Sequence, residues 1–281
     1  MAASEAPSTV ALGRSDTEAC LRLSDEAGWN QTADDWRLFL GHGRTVGVRS
    51  EDGSLVASAA ALPYERFGFV SMVLVTAAWR RRGLATELVG RCVETLTSRG
   101  LVPVLDATPA GALVYGRQGF EGLFELDRWQ GEASTRAPVS DSEVVPAGPG
   151  DFETLRALDR EANGTDRGFL LENFLARNDV SAFVDADRTG FAIVRRGRRA
   201  MQVGPVAAAT PKRALALLSA VLGIVKGPVF ADIPRRWNGI AEWLSGRGFT
   251  RQRSFTRMAY GHSMPFGRPE RLFAAAGPEF G

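Results

Sequence analysis

VLVTAAWRRRGLATELV, residues 73–89, decides the fold. Val73, Leu74 and Val75 suit a strand, residues 77–83 a turn, and Leu84, Leu88 and Val89 share one face of a helix. A strand, a tight turn and a helix N-terminus are expected in that order. The first helical turn offers unpaired backbone N–H groups at the positive end of the helix dipole. A turn without bulk at Gly83 and Ala85 lets a pyrophosphate approach that backbone, and Arg80, Arg81 and Arg82 favour the same anion.

The spacing is neither G-x-G-x-x-G nor G-x-x-x-x-G-K-[ST], so the dinucleotide and nucleoside-triphosphate fingerprints do not apply. Arg80, Gly83 and Ala85 instead fit [Q/R]-x-x-G-x-[G/A], and Tyr115-x-x-x-Gly119-Phe120 follows 35 residues after Arg80. On these two motifs the chain resembles the GNAT family, the Gcn5-related N-acetyltransferases, which hold the acyl-CoA pyrophosphate on such a turn. LDATPAGALVYGRQGF, residues 105–120, is similar to the version found in one subgroup of two-domain members.

The flanking pattern agrees. A helix is expected from Asp16 to Ala27 with Gly28 as terminator, and a second from Thr32 or Ala33 to Leu40. A hairpin follows around Glu51-Asp52-Gly53, then the strand and turn above, a helix closed by Gly100, the strand LVPVLDA, a short helix from Pro109, and one or two strands through Phe124 to Trp129. This order is also that of the GNAT fold. Residues 131–150, rich in Pro, Gly, Ser and Ala, read as a linker region.

Beyond them the chain repeats itself. Val206 to Ala216 aligns on Val75 to Ala85, and residues 243–249 parallel the end of the first copy. Pro211 stands for Arg80, Ala214 for Gly83 and Leu244 for Tyr115, so the second copy reads as degenerate: a Cβ crowds a phosphate, and leucine cannot donate a proton. The expected fold class is α/β, with two tandem GNAT-like domains, each a mixed, mostly antiparallel central sheet flanked by helices. Residues 1–131 form the catalytic copy, 132–142 the linker, and 143–281 the degenerate copy, in which the apolar 262–281 segment packs back on the body.

Composition sets limits. The 281 residues are 44% hydrophobic and 23% charged with a formal charge of +2, as expected of a two-domain globular protein. The pI of about 8.8 comes without a basic arm, which argues against nucleic acid; Arg195-Arg196-Gly197-Arg198-Arg199 reads as a solvated hairpin turn. Cys20 and Cys92 read as small core residues, and with His42 and His262 they supply no metal spacing, so no metal is expected. There is no signal-peptide layout and no apolar run near ~18 residues, so a cytoplasmic protein away from membranes, monomer or homodimer, is expected.

The resemblance implies acetyl-CoA as acyl donor. Val73, Leu74 and Val75 would pair with its pantetheine arm, and Arg80, Arg81, Arg82, Gly83, Leu84, Ala85 and Thr86 would hold its pyrophosphate. Thr108 stands where the family often has a cofactor-contacting asparagine. Tyr115 is the candidate acid, since a phenol of pKa about 10 can protonate a thiolate of about 8.5 as it leaves. Trp29 and Asn30 border the expected acceptor pocket. FGFVSMVLV lacks the glutamate that many family members use as base, leaving Glu65, Asp34, Asp35, Asp106 or a water chain. The carboxylates Asp159, Glu161, Asp166, Asp185 and Asp232 of the second copy read as solvated or paired, though able to attract a cationic amine. The implied activity is direct acetyl transfer to a primary amine of a small molecule. A non-catalytic acyl-CoA-binding or regulatory protein and a protein-lysine acetyltransferase are the alternatives.

Overall fold

The computed structural model describes residues 8–133 and 144–281, so the expected linker lies, past its first two residues, outside the described residues. The chain divides into two compact units: one reaches Pro63 and includes Phe67–Val104, the other contains Tyr64–Arg66 and Leu105–Gly281.

The first unit is built from β1 (Ser8–Leu12), α1 (Thr17–Glu26), α2 (Ala33–His42), β2 (Arg44–Arg49), β3 (Leu55–Pro63), β4 (Phe67–Val75), α3 (Leu84–Thr97) and the first half of β5 (Val102–Ala107). Strands pair in the order β1-β2-β3-β4-β5, antiparallel except for β4 with β5. The strand β1 falls in a stretch without apolar alternation and was not expected. Thr32 caps α2 by accepting from the Asp35 N–H while Asp35 accepts from the Thr32 N–H, a reciprocal pair that contributes about 1 kcal/mol. Trp36 and Phe39 on its inner face are fully buried, and the Trp36 indole donates to Ser24 Oγ of α1 at 2.9 Å. Gly68 brings α3 down onto β4, because a Cβ there would lie 2.1 Å from Leu96 Cδ2.

The second unit continues with α4 (Pro109–Arg117), β6 (Phe120–Ala133), β7 (Val144–Pro146), α5 (Phe152–Asn163), α6 (Gly168–Leu175), β8 (Val180–Asp185), β9 (Phe191–Arg195), β10 (Met201–Ala207), α7 (Pro211–Ile224), β11 (Gly227–Pro234), α8 (Asn238–Ser245), β12 (Thr250–Tyr260) and β13 (Leu272–Ala274). Its sheet runs β12-β6-β11-β10-β9-β8-β7, with β13 on β10. The compact boundary precedes the boundary between sequence copies for a reason: β6 is one 14-residue strand, antiparallel to both β11 and β12. α7 and α8 cover one face through Leu217, Leu218, Val221, Ile240 and Leu244.

Four arginines of this unit are buried against carboxylates. Arg128 holds Asp232 through two bonds of 2.8 Å, and Arg257 holds Asp106 likewise. Arg167 binds Asp159 and the backbone oxygens of Phe280 and Gly281, while Arg195 binds Glu279 at 2.8 Å. The reading of 195–199 as a solvated turn is corrected at Arg195, which is 2% exposed; Arg196, Arg198 and Arg199 are exposed. All five residues of β9 are buried, and Arg195 at its end is covered by its partner Glu279 and the Phe174 ring. Removing one partner of such a pair strands the other charge. Arg167→Leu is expected to cost about 3–5 kcal/mol, read from the urea midpoint, with part recovered in Arg167→Leu/Asp159→Leu. A single variant within 1 kcal/mol of the parent contradicts this account.

Candidate functional site

β4 begins flat and ends bent. It pairs in parallel with β5 only over Phe67–Phe69 against Val102–Val104. On its other side the register with β3 shifts between Ser58 and Ala60, opposite Met72, whose φ of 53° is left-handed. A non-glycine residue there is strained and must be held. Ser58 does so: its buried hydroxyl donates to the Met72 carbonyl at 2.8 Å. Such a bulge increases twist and carries the strand away from its neighbour, so Leu74 and Val75 pair with β3 alone among the described ladders, while Val73 falls within the register shift.

The turn after β4 makes a short 3₁₀ segment, Ala77–Trp79, then two left-handed residues, Arg81 at φ 62° and Gly83 at φ 81°. Left-handed residues in a turn bring successive N–H groups to one side, an arrangement suited to anions. Gly83 is the N-cap of α3 and supplies no side-chain cap; a Cβ added to it would have nothing within 4 Å. The first N–H groups of α3 therefore face an open cradle, a fit for a pyrophosphate. Arg80 braces the turn through Nε to the Val75 carbonyl at 3.1 Å, and Arg82 lies over the Trp79 ring at 4.6 Å. Arg81 is exposed, and Leu84 anchors the helix start in the core. Ala85 is half-buried and Thr86 exposed. The Ala77 N–H donates to Glu26 at the end of α1, a tie of 2.8 Å that no sequence pattern announced.

Beyond α1, Trp29 is half-buried, while Asn30 and Gln31 are 8% and 4% exposed. Gln31 Oε1 and Ser71 Oγ on β4 are buried without a hydrogen-bond partner. A buried acceptor in that state costs about 1–3 kcal/mol unless a ligand or water donates to it.

Thr108 and Tyr115 belong to the second compact unit. Thr108 caps α4 by accepting from the Gly111 N–H at 3.2 Å, and Tyr115 lies two turns later on the same helix face. A Cβ at Gly111 would be 3.2 Å from the Tyr115 ring and 3.3 Å from Thr108 Oγ1, so the glycine lets these side chains converge. Tyr115 is half-buried, with its ring 6.0 Å from that of Phe120. Gly119, at φ 97°, passes beneath Tyr260, which packs edge-on against Phe120 at 5.5 Å.

Every carboxylate considered as base has another task. Asp34 pairs with Arg37 at 2.6 Å, Asp35 caps α2, and Glu65 pairs with Arg160 at 2.8 Å. Burial pushes the Asp106 carboxyl up, against the pull of the Arg257 guanidinium that grips both its oxygens. The carboxylates of the second copy are also engaged, Asp159, Asp166 and Asp232 by Arg167, Arg156 and Arg128, and Glu161 by Arg268.

The corresponding turn of the second copy has been wound into helix. Pro211, aligned with Arg80, already begins α7, so Ala214, aligned with Gly83, lies inside it. Proline fits the first helical position, and no glycine interrupts the following turn. Thr210 caps this terminus by accepting from the Arg213 N–H, and Arg213 is engaged by Asp185 and Asp187. Leu244 is buried. Cys20 and Cys92 are buried and unpaired, and burial pushes both thiols up to about 12. Among the described residues no metal-ligating cluster occurs and no helix is long and apolar enough to cross a membrane.

Two family profiles match in tandem: the acetyltransferase (GNAT) family over residues 14–120 and an acetyltransferase (GNAT) domain over 155–274. The chain belongs to the GNAT family. It is an acyltransferase with two GNAT domains, in a family that uses acetyl-CoA. It is 23% identical over 245 residues to the uncharacterized N-acetyltransferase YitH of Bacillus subtilis, covering 85% of this chain and 86% of that one. The fold resembles that of a Pyrococcus horikoshii protein provisionally assigned as an acetyltransferase, with TM-score 0.83, 20% identity, and 99% and 96% of the two chains covered. It also resembles a tandem GNAT protein from the clavulanic acid biosynthesis pathway, with TM-score 0.63, 16% identity, and coverage of 90% and 98%.

The open cradle makes a direct prediction. Gly83→Val introduces a β-branched side chain at positive φ, a strain of about 1–3 kcal/mol, and fills the space above the α3 N-terminus. Calorimetric titration should show acetyl-CoA bound about tenfold or more weakly, and unchanged affinity would remove this turn from the site.

Proposed function

We propose that the first copy transfers the acetyl group of acetyl-CoA directly to a primary amine of a small molecule. The observation that carries this reading is the contrast between the two helix N-termini: α3 is uncapped above an open glycine, whereas α7 is capped by Thr210 with its arginine held by two aspartates. At α7 the Arg213 N–H is already taken by Thr210, whereas α3 has no side-chain cap competing with a diphosphate. The bent end of β4 supplies backbone groups for the pantetheine arm, and Arg81 reaches the phosphates from an exposed position.

In the reaction the neutral amine nitrogen attacks the thioester carbonyl carbon, the C–S bond breaks, and the electron pair leaves on sulfur. Tyr115 protonates that thiolate, an uphill transfer of ~2 kcal/mol from ordinary pKa values. The new amide loses its proton through water to solvent, since Asp34, Asp35, Glu65 and Asp106 are all committed elsewhere. The buried amides Asn30 and Gln31 suit a compact polar acceptor more than a polypeptide, whose backbone would itself need satisfying. Unpaired buried thiols accord with a cytoplasmic protein.

Tyr115→Phe should lower kcat about 100-fold on a small amine while leaving acetyl-CoA affinity within twofold. Full activity in this variant would exclude Tyr115 as the acid. Tight acetyl-CoA binding without turnover on any small amine would favour a regulatory acyl-CoA-binding protein, and turnover confined to lysine peptides a protein acetyltransferase.

A further inference from the structure

The second copy repeats the strand geometry of the first and then fills it. β10 and β11 run parallel over Met201–Val203 against Val229–Ala231, a three-residue pairing like that of β4 with β5. On its other side β10 shifts register with β9 between Val203 and Val206, as β4 does with β3. Each parallel pair therefore opens into a fork.

In the second fork lies β13. Val206 pairs with Ala274 and Ala207 with Leu272, while the Ala275 N–H donates to the Asp232 carbonyl of β11 at 2.9 Å. One segment thus bonds to both arms. It passes so close to β10 that a Cβ on Gly204 would fall 1.9 Å from the Ala275 carbonyl oxygen. Phe273, Ala274, Ala275 and Ala276 are fully buried. Phe273 is stacked on Trp237 at 4.3 Å, whose indole N–H donates to the Leu272 carbonyl, and Glu279 anchors the following turn on Arg195.

We propose that residues 272–276 are a ligand in cis, occupying as a strand the place that the pantetheine arm takes in the first copy. The second fork is then a strand-binding site whose occupant is an extended apolar peptide, not a vacant acyl-CoA cleft. An amide backbone is what the two ligands share: pantetheine and a β-strand both present N–H and C=O groups in line. The comparison with pantetheine rests on the cofactor reading of the first copy, whereas the filled fork stands on its own contacts.

Hydrogen exchange on the full chain, with and without acetyl-CoA, tests this. Amides of 274–276 should exchange about 100-fold or more slowly than those of 262–268, and acetyl-CoA should protect 73–86 while leaving 206–207 and 272–276 unchanged. Ala275→Pro removes the N–H that reaches Asp232 and should release 272–276 to rapid exchange, with acetyl-CoA still binding one equivalent per chain. Rapid exchange of 274–276 in the parent protein, or protection of 206–207 by acetyl-CoA, would overturn the proposal; the parent measurement decides even if the proline variant does not fold. Absence of protection at 73–86 beside a slow-exchanging 274–276 would defeat the cofactor reading and leave the strand-filled fork standing.

Discussion

A strand that leaves its neighbour exposes backbone N–H and C=O groups that must find partners. That constraint governs both halves of this chain. A three-residue parallel pairing, followed by a register shift on the opposite side, sends β4 away from β5 and β10 away from β11. The Ser58 hydroxyl on the Met72 carbonyl holds the first bend. Each unsatisfied buried group in such a fork costs about 1–3 kcal/mol, so a fork is stable only when solvated or filled. β13 fills one, and under the proposed function the pantetheine arm fills the other.

The buried charges of the second unit follow the same logic of complete satisfaction. Arg128 is shared between Asp232 and two aromatic rings, Phe230 and Phe255, and Gln202 takes a further bond to Asp232. Such pairs add little net stability compared with apolar residues of the same volume, but they penalise any arrangement that separates them. One consequence is chemical. Asp34, Glu65 and Asp106 are paired with arginines and Asp35 caps α2, which is why the proposed reaction routes the acceptor's proton through water.

Much of the first copy was legible because its signals are local. Thr32 and Asp35 announce α2, Gly28 and Gly100 mark helix ends with positive φ, and Gly83 interrupts the arginine turn. What escaped depends on distant partners. β1 is a strand only because β2 pairs with it, and β11, unassigned in sequence, is held between β6 and β10. Arg195 looks like part of a basic turn until Glu279, 84 residues later, is placed beside it. The tie from Glu26 to Ala77 and the bulge at Met72 have no periodicity to betray them. The 262–281 segment was expected to pack on the body, but nothing in its composition said that it would become a strand in a particular fork.

The difference between the copies reduces to the handedness of one turn. Gly83 takes a left-handed conformation that a residue with a Cβ adopts only at a cost, and that break delays α3 until Leu84. Ala214 has no such freedom and strongly favours helix, so with Pro211 ahead of it the same stretch winds into the first turn of α7. The Arg213 N–H is met by Thr210, and the Arg213 side chain turns to Asp185 and Asp187. Once the turn is lost, a cofactor arm in the adjoining fork loses its charged anchor. A covalently attached strand suffers no such loss, because its effective concentration does not depend on binding a diphosphate. On the proposed reading the helical turn and the filled fork belong together: without the turn a cofactor gains little from an open cleft, and β13 satisfies the backbone that such an opening exposes.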